Sequence, residues 1–326
     1  MGCTVSKEDV RTRHSDAGAS QHRTPPPTHT QPPTTTHLDA QPQTTTTHNN
    51  TNDTGPLSKS DIGQRTHAET ADVATIPSAG ITLRYAQLSQ RGYYPDDLDK
   101  ANQDALIVLP QTLGDESHFF AGVFDGHGSD GDLCSLFVRD SIEMALHAAL
   151  KQHPTDFERA YRSVFTQINH ALHNNSGIDD SMSGTTAITA YLRGRELTVA
   201  NVGDSRAIIG EQQKNSKRII AFPLSSDQTP YRKDERERIK PHGAVVMSCD
   251  QLEGIEPLHE NWGLNLGDEI DNGGDPPRVW AQGKNFPGCA FTRSIGDSVA
   301  ESIGVTAEPE LVREDITQND KFRVLA

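Results

Sequence analysis

From Ile81 onward the chain alternates between runs of period two and runs of helical period. His118–Phe124 is a short apolar run that stops abruptly at Asp125-Gly126-His127-Gly128, as a buried strand entering a turn does. Asp132–Leu150 sets Leu133, Leu136, Phe137, Ala145 and Ala148 near helical spacing. The pattern is clearer over Thr155–His173, where Phe157, Ala160, Tyr161, Val164, Phe165, Ile168 and Leu172 share one face before Gly177. Thr185–Leu192 and Leu197–Asn201 read as two strands joined at Arg193-Gly194-Arg195-Glu196, and Ser205–Gly210 as a third strand after Gly203-Asp204. The charged stretch Pro230–Pro241 predicts a short exposed helix. The Gly-, Asp- and Pro-rich stretch Asp250–Pro287 predicts a long surface insertion, and Asp320–Ala326 a last strand.

Before Ile81 the pattern is different. Thr12–Thr75 is polar and repetitive, with Thr24-Pro25-Pro26-Pro27, Thr34–Thr36 and Thr44–Thr47, and residues 1–80 contain no Phe, Trp or Tyr. Such a segment cannot bury enough apolar surface to offset the entropy of ordering it. The expected organisation is a disordered tether over 1–80 and one domain over 81–326. Met1-Gly2-Cys3-Thr4-Val5-Ser6 fits myristoylation of Gly2, with Cys3 placed for palmitoylation. Two acyl chains anchor a protein stably where one does not, so a membrane-tethered cytoplasmic protein at the inner face of the plasma membrane is expected.

Composition narrows the classes. The chain of 326 residues is only 33% hydrophobic and carries a net charge of −15, of which all but −2 falls beyond residue 80. An acidic domain repels nucleic-acid phosphates and suits cations, so no nucleic-acid partner is expected. Cys3, Cys134, Cys249 and Cys289 are scattered, with the spacing of neither a disulfide framework nor a zinc site.

The candidate chemistry lies at strand ends. A carboxylate held by the end of a buried strand, Asp125, with glycines that let backbone carbonyls approach, is a setting for a hard divalent cation. His127 could exchange a proton beside it. A tight turn using Asp and Gly for conformational reasons explains the pentapeptide equally well. An EF-hand does not, because loop positions six and twelve are Asp130 and Leu136 rather than Gly and Glu. Asp204 and Asp104 occupy similar places, which suggests one shared acidic pocket needing cations to offset repulsion. Asp297 is a fourth and weaker candidate.

In chain order, Asn102-Gln103-Asp104, Val123–Gly128, Ser183-Gly184-Thr185-Thr186-Ala187, Val202-Gly203-Asp204-Ser205-Arg206 and Thr292–Asp297 resemble the metal-dependent protein serine/threonine phosphatases of type 2C. The likeness spans roughly 82–326. With Gly92–Asp104, Gly274–Trp280 and the Met-Gly-Cys start, it is narrowest toward plant-type proteins that join this domain to cyclic-nucleotide-binding and kinase domains. The resemblance implies an α+β fold, a β-sandwich of two antiparallel sheets flanked by pairs of antiparallel helices. It also implies two Mg²⁺ or Mn²⁺ ions and phosphoprotein substrates. Asp125 would bridge both ions and Gly126 would give its carbonyl. Asp104 would act through water, Asp204 would hold a weaker third ion, and His127 would be the general acid. Two-metal chemistry activates water for in-line displacement at phosphorus.

The chain departs from the family in three places. Gln103 stands where many members have Glu, weakening one acidic contact. Asp99 and Lys100 replace the usual phosphate-holding Arg, and Lys100 is the candidate substitute. The sequence stops at Ala326 before two further carboxylates of the family pattern. That predicts a C-terminally incomplete domain of low activity, or alternatively a lipid-anchored regulatory or binding module on a phosphatase-like fold.

Overall fold

Phe119 and Phe120 are both buried although, as strand neighbours, they point to opposite faces. The strand that carries them, β4 (His118–His127), therefore has apolar material on each side. The structure, a computed structural model, describes residues 66–325 apart from 96, 98–99, 213–215, 263–273 and 317–319. Gly2, Cys3 and the tether up to residue 65 lie outside the described residues.

β4 pairs antiparallel with β3 (Asp104–Leu109) and β6 (Ala187–Arg193). The sheet continues through β7 (Glu196–Val202) to β14 (Glu310–Asp315). At the end carrying His127 the short strands β5 (Gly184–Thr185) and β13 (Ile295–Gly296) extend it. The predicted turn between β6 and β7 is present, with Gly194 at a φ of 60° that a side chain would strain.

On one face lie α1 (Gly131–Gln152) and α2 (Phe157–His173), whose Val138, Ile142, Leu146, Val164, Phe165 and Ile168 pack with Phe120, Phe124 and Tyr191. Each fully buried side chain of this size contributes about 1.5–3 kcal/mol. The Asp156 side chain caps α2 by accepting from the Arg159 N–H at 3.0 Å, with Glu158 favourably placed in the first turn. The other face, with Phe119, Ile188, Leu192 and Val199, packs against the hairpin of β1 (Thr66–Ile76) and β2 (Ile81–Gln90). It also packs against β8 (Arg206–Gln212), which forms a second antiparallel sheet with β9 (Ile219–Pro223) and β15 (Asp320–Leu325). This is the expected α+β sandwich. Among the described residues one long helix pair covers it, on the Phe120 face.

Three expectations need correction. Strand structure is already present before Ile81: β1 lies inside the stretch read as tether, and its Ala74 and Ile76 are buried. Averaging over a Thr- and Pro-rich tract hid this short alternating run. The charged stretch does form a helix, α3 (Lys233–Ile239), but Glu235, Arg236 and Ile239 are buried. The supposed surface insertion is partly a folded unit. β10 (Ala244–Met247), β11 (Arg278–Ala281) and β12 (Pro287–Cys289) form a sheet, with α4 (Cys249–Leu252) opening on a Ser248–Gln251 capping box. Val246, Trp262, Val279 and Phe291 give it a small core.

Candidate active site

Strand register builds the site. Asp104 lies directly opposite Asp125 across the β3–β4 ladder, so two carboxylates meet at one end of the sheet and their side chains hydrogen-bond. Asp204, in the turn between β7 and β8, is close enough for its charge to act on Asp125. Burial pushes the Asp125 carboxyl up to about 6, and repulsion by Asp104 and Asp204 works in the same direction. Burial raises Asp104 too, partly offset by the hydrogen bond from Asp125. It also raises Asp204, against a lowering contribution from that residue's own backbone N–H. Among the described residues no Lys or Arg forms an ion pair with any of the three. The nearby guanidinium of Arg206 is taken by Asp227 at 2.6 Å.

The backbone around them is clamped. The Asp125 N–H donates to Thr186 Oγ1 at 3.0 Å, and the Thr186 N–H donates to the Asp125 carbonyl at 2.9 Å. Thr186 Oγ1 lies 2.7 Å from Ser205 Oγ, next to Asp204. The Gly203 N–H donates to the buried Gln228 side chain at 2.7 Å, while the Gln228 carbonyl accepts from the Thr292 N–H at 2.7 Å. Four of the five sequence motifs are thereby joined. At Gly126 a Cβ would lie 2.0 Å from the Gly131 carbonyl oxygen, so no side chain fits there.

Gln103 does not stand in for a metal-facing Glu. Its Nε2 donates to the Gly128 carbonyl at 2.7 Å, bracing the Asp-Gly-His-Gly turn through a contact that a carboxylate could not make. Lys100 is not brought into the carboxylate group: its ammonium lies 3.9 Å from the centre of the Tyr94 ring. Asp297 also departs from expectation. It stands behind His127 instead of joining the three aspartates, with Oδ2 2.6 Å from His127 Nε2. Burial alone would push the imidazole down, but the Asp297 charge and hydrogen bond, helped by Asp125 and Asp204, raise it overall. The Phe291 ring lies 4.4 Å from the imidazole, centre to centre.

The tightest acidic cluster among the described residues is elsewhere. Ligand atoms of Asp234, Glu235 and Glu310 lie within 4.8 Å of one another. These carboxylates are already neutralised: Arg232 binds Asp234 and Glu310, and Arg293 and Arg238 bind Glu235. Burial would raise Glu235, yet the arginines hold it down at about 2. The group is an ion-pair network and not a cation site.

A family profile described as Protein phosphatase 2C matches residues 96–326. The chain belongs to the protein phosphatase 2C family. The phosphatase is 47% identical over 277 residues to the Arabidopsis thaliana protein named "Probable protein phosphatase 2C 35", covering 83% of this chain and 76% of that one. It is 31% identical to the Oryza sativa protein named "Probable protein phosphatase 2C 64", covering 69% of this chain and about half, 49%, of the relative. Among solved structures, a serine-threonine phosphatase 2C from Toxoplasma gondii superposes with a TM-score of 0.55 at 18% identity, over 69% of this chain and 73% of that chain. That likeness concerns the fold. The family is metal-dependent, on Mg²⁺ or Mn²⁺, and the phosphatase's donor set fits such a cation. It offers hard oxygen ligands that no Lys or Arg among the described residues pairs with, and the nearby His127 offsets their repulsion only in part, since Asp125 and Asp204 stay raised overall.

The sequence did not reveal the His127–Asp297 contact, which joins residues 170 positions apart. Nor did it reveal Gln228. The available signal for Asp297 was its place directly after Gly296 in a motif shared with the rest of the site.

Proposed function

We propose that this phosphatase hydrolyses phosphoserine and phosphothreonine in proteins by direct attack of water, with Mg²⁺ or Mn²⁺ held around Asp125. The observation that carries this reading is the set Asp104, Asp125 and Asp204, three carboxylates at one sheet end that form no ion pair with a Lys or Arg among the described residues. Asp125 would be the central ligand, joined by the Gly126 carbonyl, while Asp104 would contribute through water and Asp204 would hold a further ion weakly. When bound, the ions supply the positive charge that phosphate seeks and make water a better nucleophile. His127 donates a proton to the departing serine or threonine oxygen. Lys100 contacts the substrate phosphate by leaving Tyr94, a role that predicts a raised KM in Lys100→Ala. The experiment is titration calorimetry with Mn²⁺ alongside hydrolysis of a phosphothreonine peptide. Uptake and turnover that are both lost in Asp125→Asn support the reading; no uptake by the intact protein would sink it.

Gly2 and Cys3 are acylated and tether the protein to the inner face of the plasma membrane, which the Met-Gly-Cys start supports. Mass spectrometry of the N-terminal peptide from plant cells checks this, an unmodified Gly2 being the contrary result. Cyclic-nucleotide-binding and kinase domains in the same gene product are the part of the reading that transcript sequence past Ala326 decides.

A further inference from the structure

We infer that Asp297 is a positioning residue for the reaction. It fixes the His127 ring with the proton on Nε2, so that Nδ1 is the atom that delivers a proton to the leaving oxygen. This deepens the reading of His127 as general acid and rests on it.

The geometry is specific. Asp297 Oδ2 sits 2.6 Å from His127 Nε2, and an ionised carboxylate can only accept there, so Nε2 bears the hydrogen. Nδ1 has no hydrogen-bond partner among the described residues, which leaves it free for substrate. Asp297 itself is held from several sides. Its carboxylate accepts from Ser294 Oγ, its N–H donates to the Ser183 carbonyl at 2.9 Å, and its neighbour Gly296 donates to Asn169 Oδ1 at 2.8 Å. It is buried and holds a left-handed backbone, φ 52° and ψ 49°, which non-glycine residues seldom adopt. A Cβ at Gly184 would lie 2.2 Å from its Oδ2, so the neighbouring strand leaves room for this carboxylate and no side chain besides. His173 extends the brace. It contacts Asp180 through Nδ1 and Glu301 through Nε2, tying the end of α2 to α5 (Ser298–Glu301), the helix that Asp297 begins.

The step balances as follows. Water oxygen forms a new bond to phosphorus as the bond from phosphorus to the serine or threonine oxygen breaks, and the electron pair stays on that oxygen. The His127 Nδ1 proton moves to it, giving the free hydroxyl. The neutral ring keeps its Nε2 proton on Asp297, and the proton lost by the attacking water is returned through solvent to Nδ1.

A substrate pair tests this. Threonine oxygen needs a proton to depart, whereas p-nitrophenolate leaves without one. Wild type, Asp297→Asn, Ser294→Ala and His127→Ala are compared on a phosphothreonine peptide and on p-nitrophenyl phosphate at saturating Mn²⁺. The quantity read is the ratio of kcat on the peptide to kcat on the aryl ester. In Asp297→Asn this ratio falls about 10- to 100-fold at near-constant peptide KM, and ¹⁵N shifts show the His127 ring losing its fixed tautomer. Ser294→Ala, a milder change, lowers the ratio less. Equal losses on both substrates in Asp297→Asn, or an unchanged ratio, overturn the inference; if His127→Ala still shifts the ratio, the general-acid reading survives that failure. A His127→Ala ratio equal to that of wild type overturns the general-acid reading itself, and the role of Asp297 with it.

Discussion

Burial and two acidic neighbours make ionisation of Asp125 unfavourable. Its folded carboxyl titrates near 6, against an ordinary value of 3.8, so the folded protein binds this proton more tightly than the unfolded chain does. Its contribution to stability is therefore fully present below 3.8 and is lost as pH rises through about 6. In EDTA, Asp125→Asn is expected to melt at a higher temperature than wild type at pH 7.5, with the gap closing toward pH 4, as scanning calorimetry at several pH values would show. Mn²⁺ reverses the order for wild type above pH 6, because the cation wants the ionised form. Gln103 gives a second expectation. Changing it to Glu, toward the commoner family residue, sets a carboxylate against the Gly128 carbonyl oxygen in place of an N–H donor at 2.7 Å. The change lowers stability by about 1–3 kcal/mol without improving activity, measured by urea unfolding and peptide turnover. At this scale the sequence marked the three aspartates by their place near strand ends: Asp104 opens β3, Asp125 lies two residues before the end of β4, and Asp204 sits in the turn after β7. It could not show where Asp297 or the Gln103 side chain turns, because those choices depend on partners from distant parts of the chain.

The elements most readable in advance were those with a clean apolar period. α2 ends at His173 as its stripe of Phe157, Tyr161, Val164, Ile168 and Leu172 predicts, and β6 and β7 meet at the anticipated turn. α1 and α2 pack on the sheet, with Tyr161 Oη 2.6 Å from Thr189 Oγ1 inside the interface. Leu146, fully buried in α1, supports stability and not chemistry. Leu146→Ala is expected to cost about 2–5 kcal/mol in unfolding free energy while Mn²⁺ affinity and peptide KM stay unchanged. β1 and the β10–β11–β12 unit were illegible for a shared reason. Their apolar residues are few and short-range, and they are stabilised by contacts such as Ile76 with the main sheet and Trp262 with Val279.

Across the whole molecule, buried charge ties the parts together. Glu235 on α3 takes Arg293 from the loop before β13 and Arg238 from its own helix, while Arg232 takes Glu310 from β14. The Glu235 carboxyl is depressed from 4.5 to about 2, so its stabilisation is complete above 4.5 and is lost as pH falls toward 2. Glu235→Gln is expected to cost about 3 kcal/mol at pH 7 and progressively less below pH 4.5, by denaturant titration. Composition could count these charges but not their pairing, which is why a helix read as exposed turned out to be a buried junction. The β3–β4 register has a practical corollary. Leu109 faces Phe120 at the connecting loop and Asp104 faces Asp125 at the opposite tip, five residue steps or roughly 17 Å away. A fluorophore or affinity label spliced between the exposed Asp115 and Glu116 would ride on the same rigid ribbon as the carboxylates, yet sit too far off to disturb them.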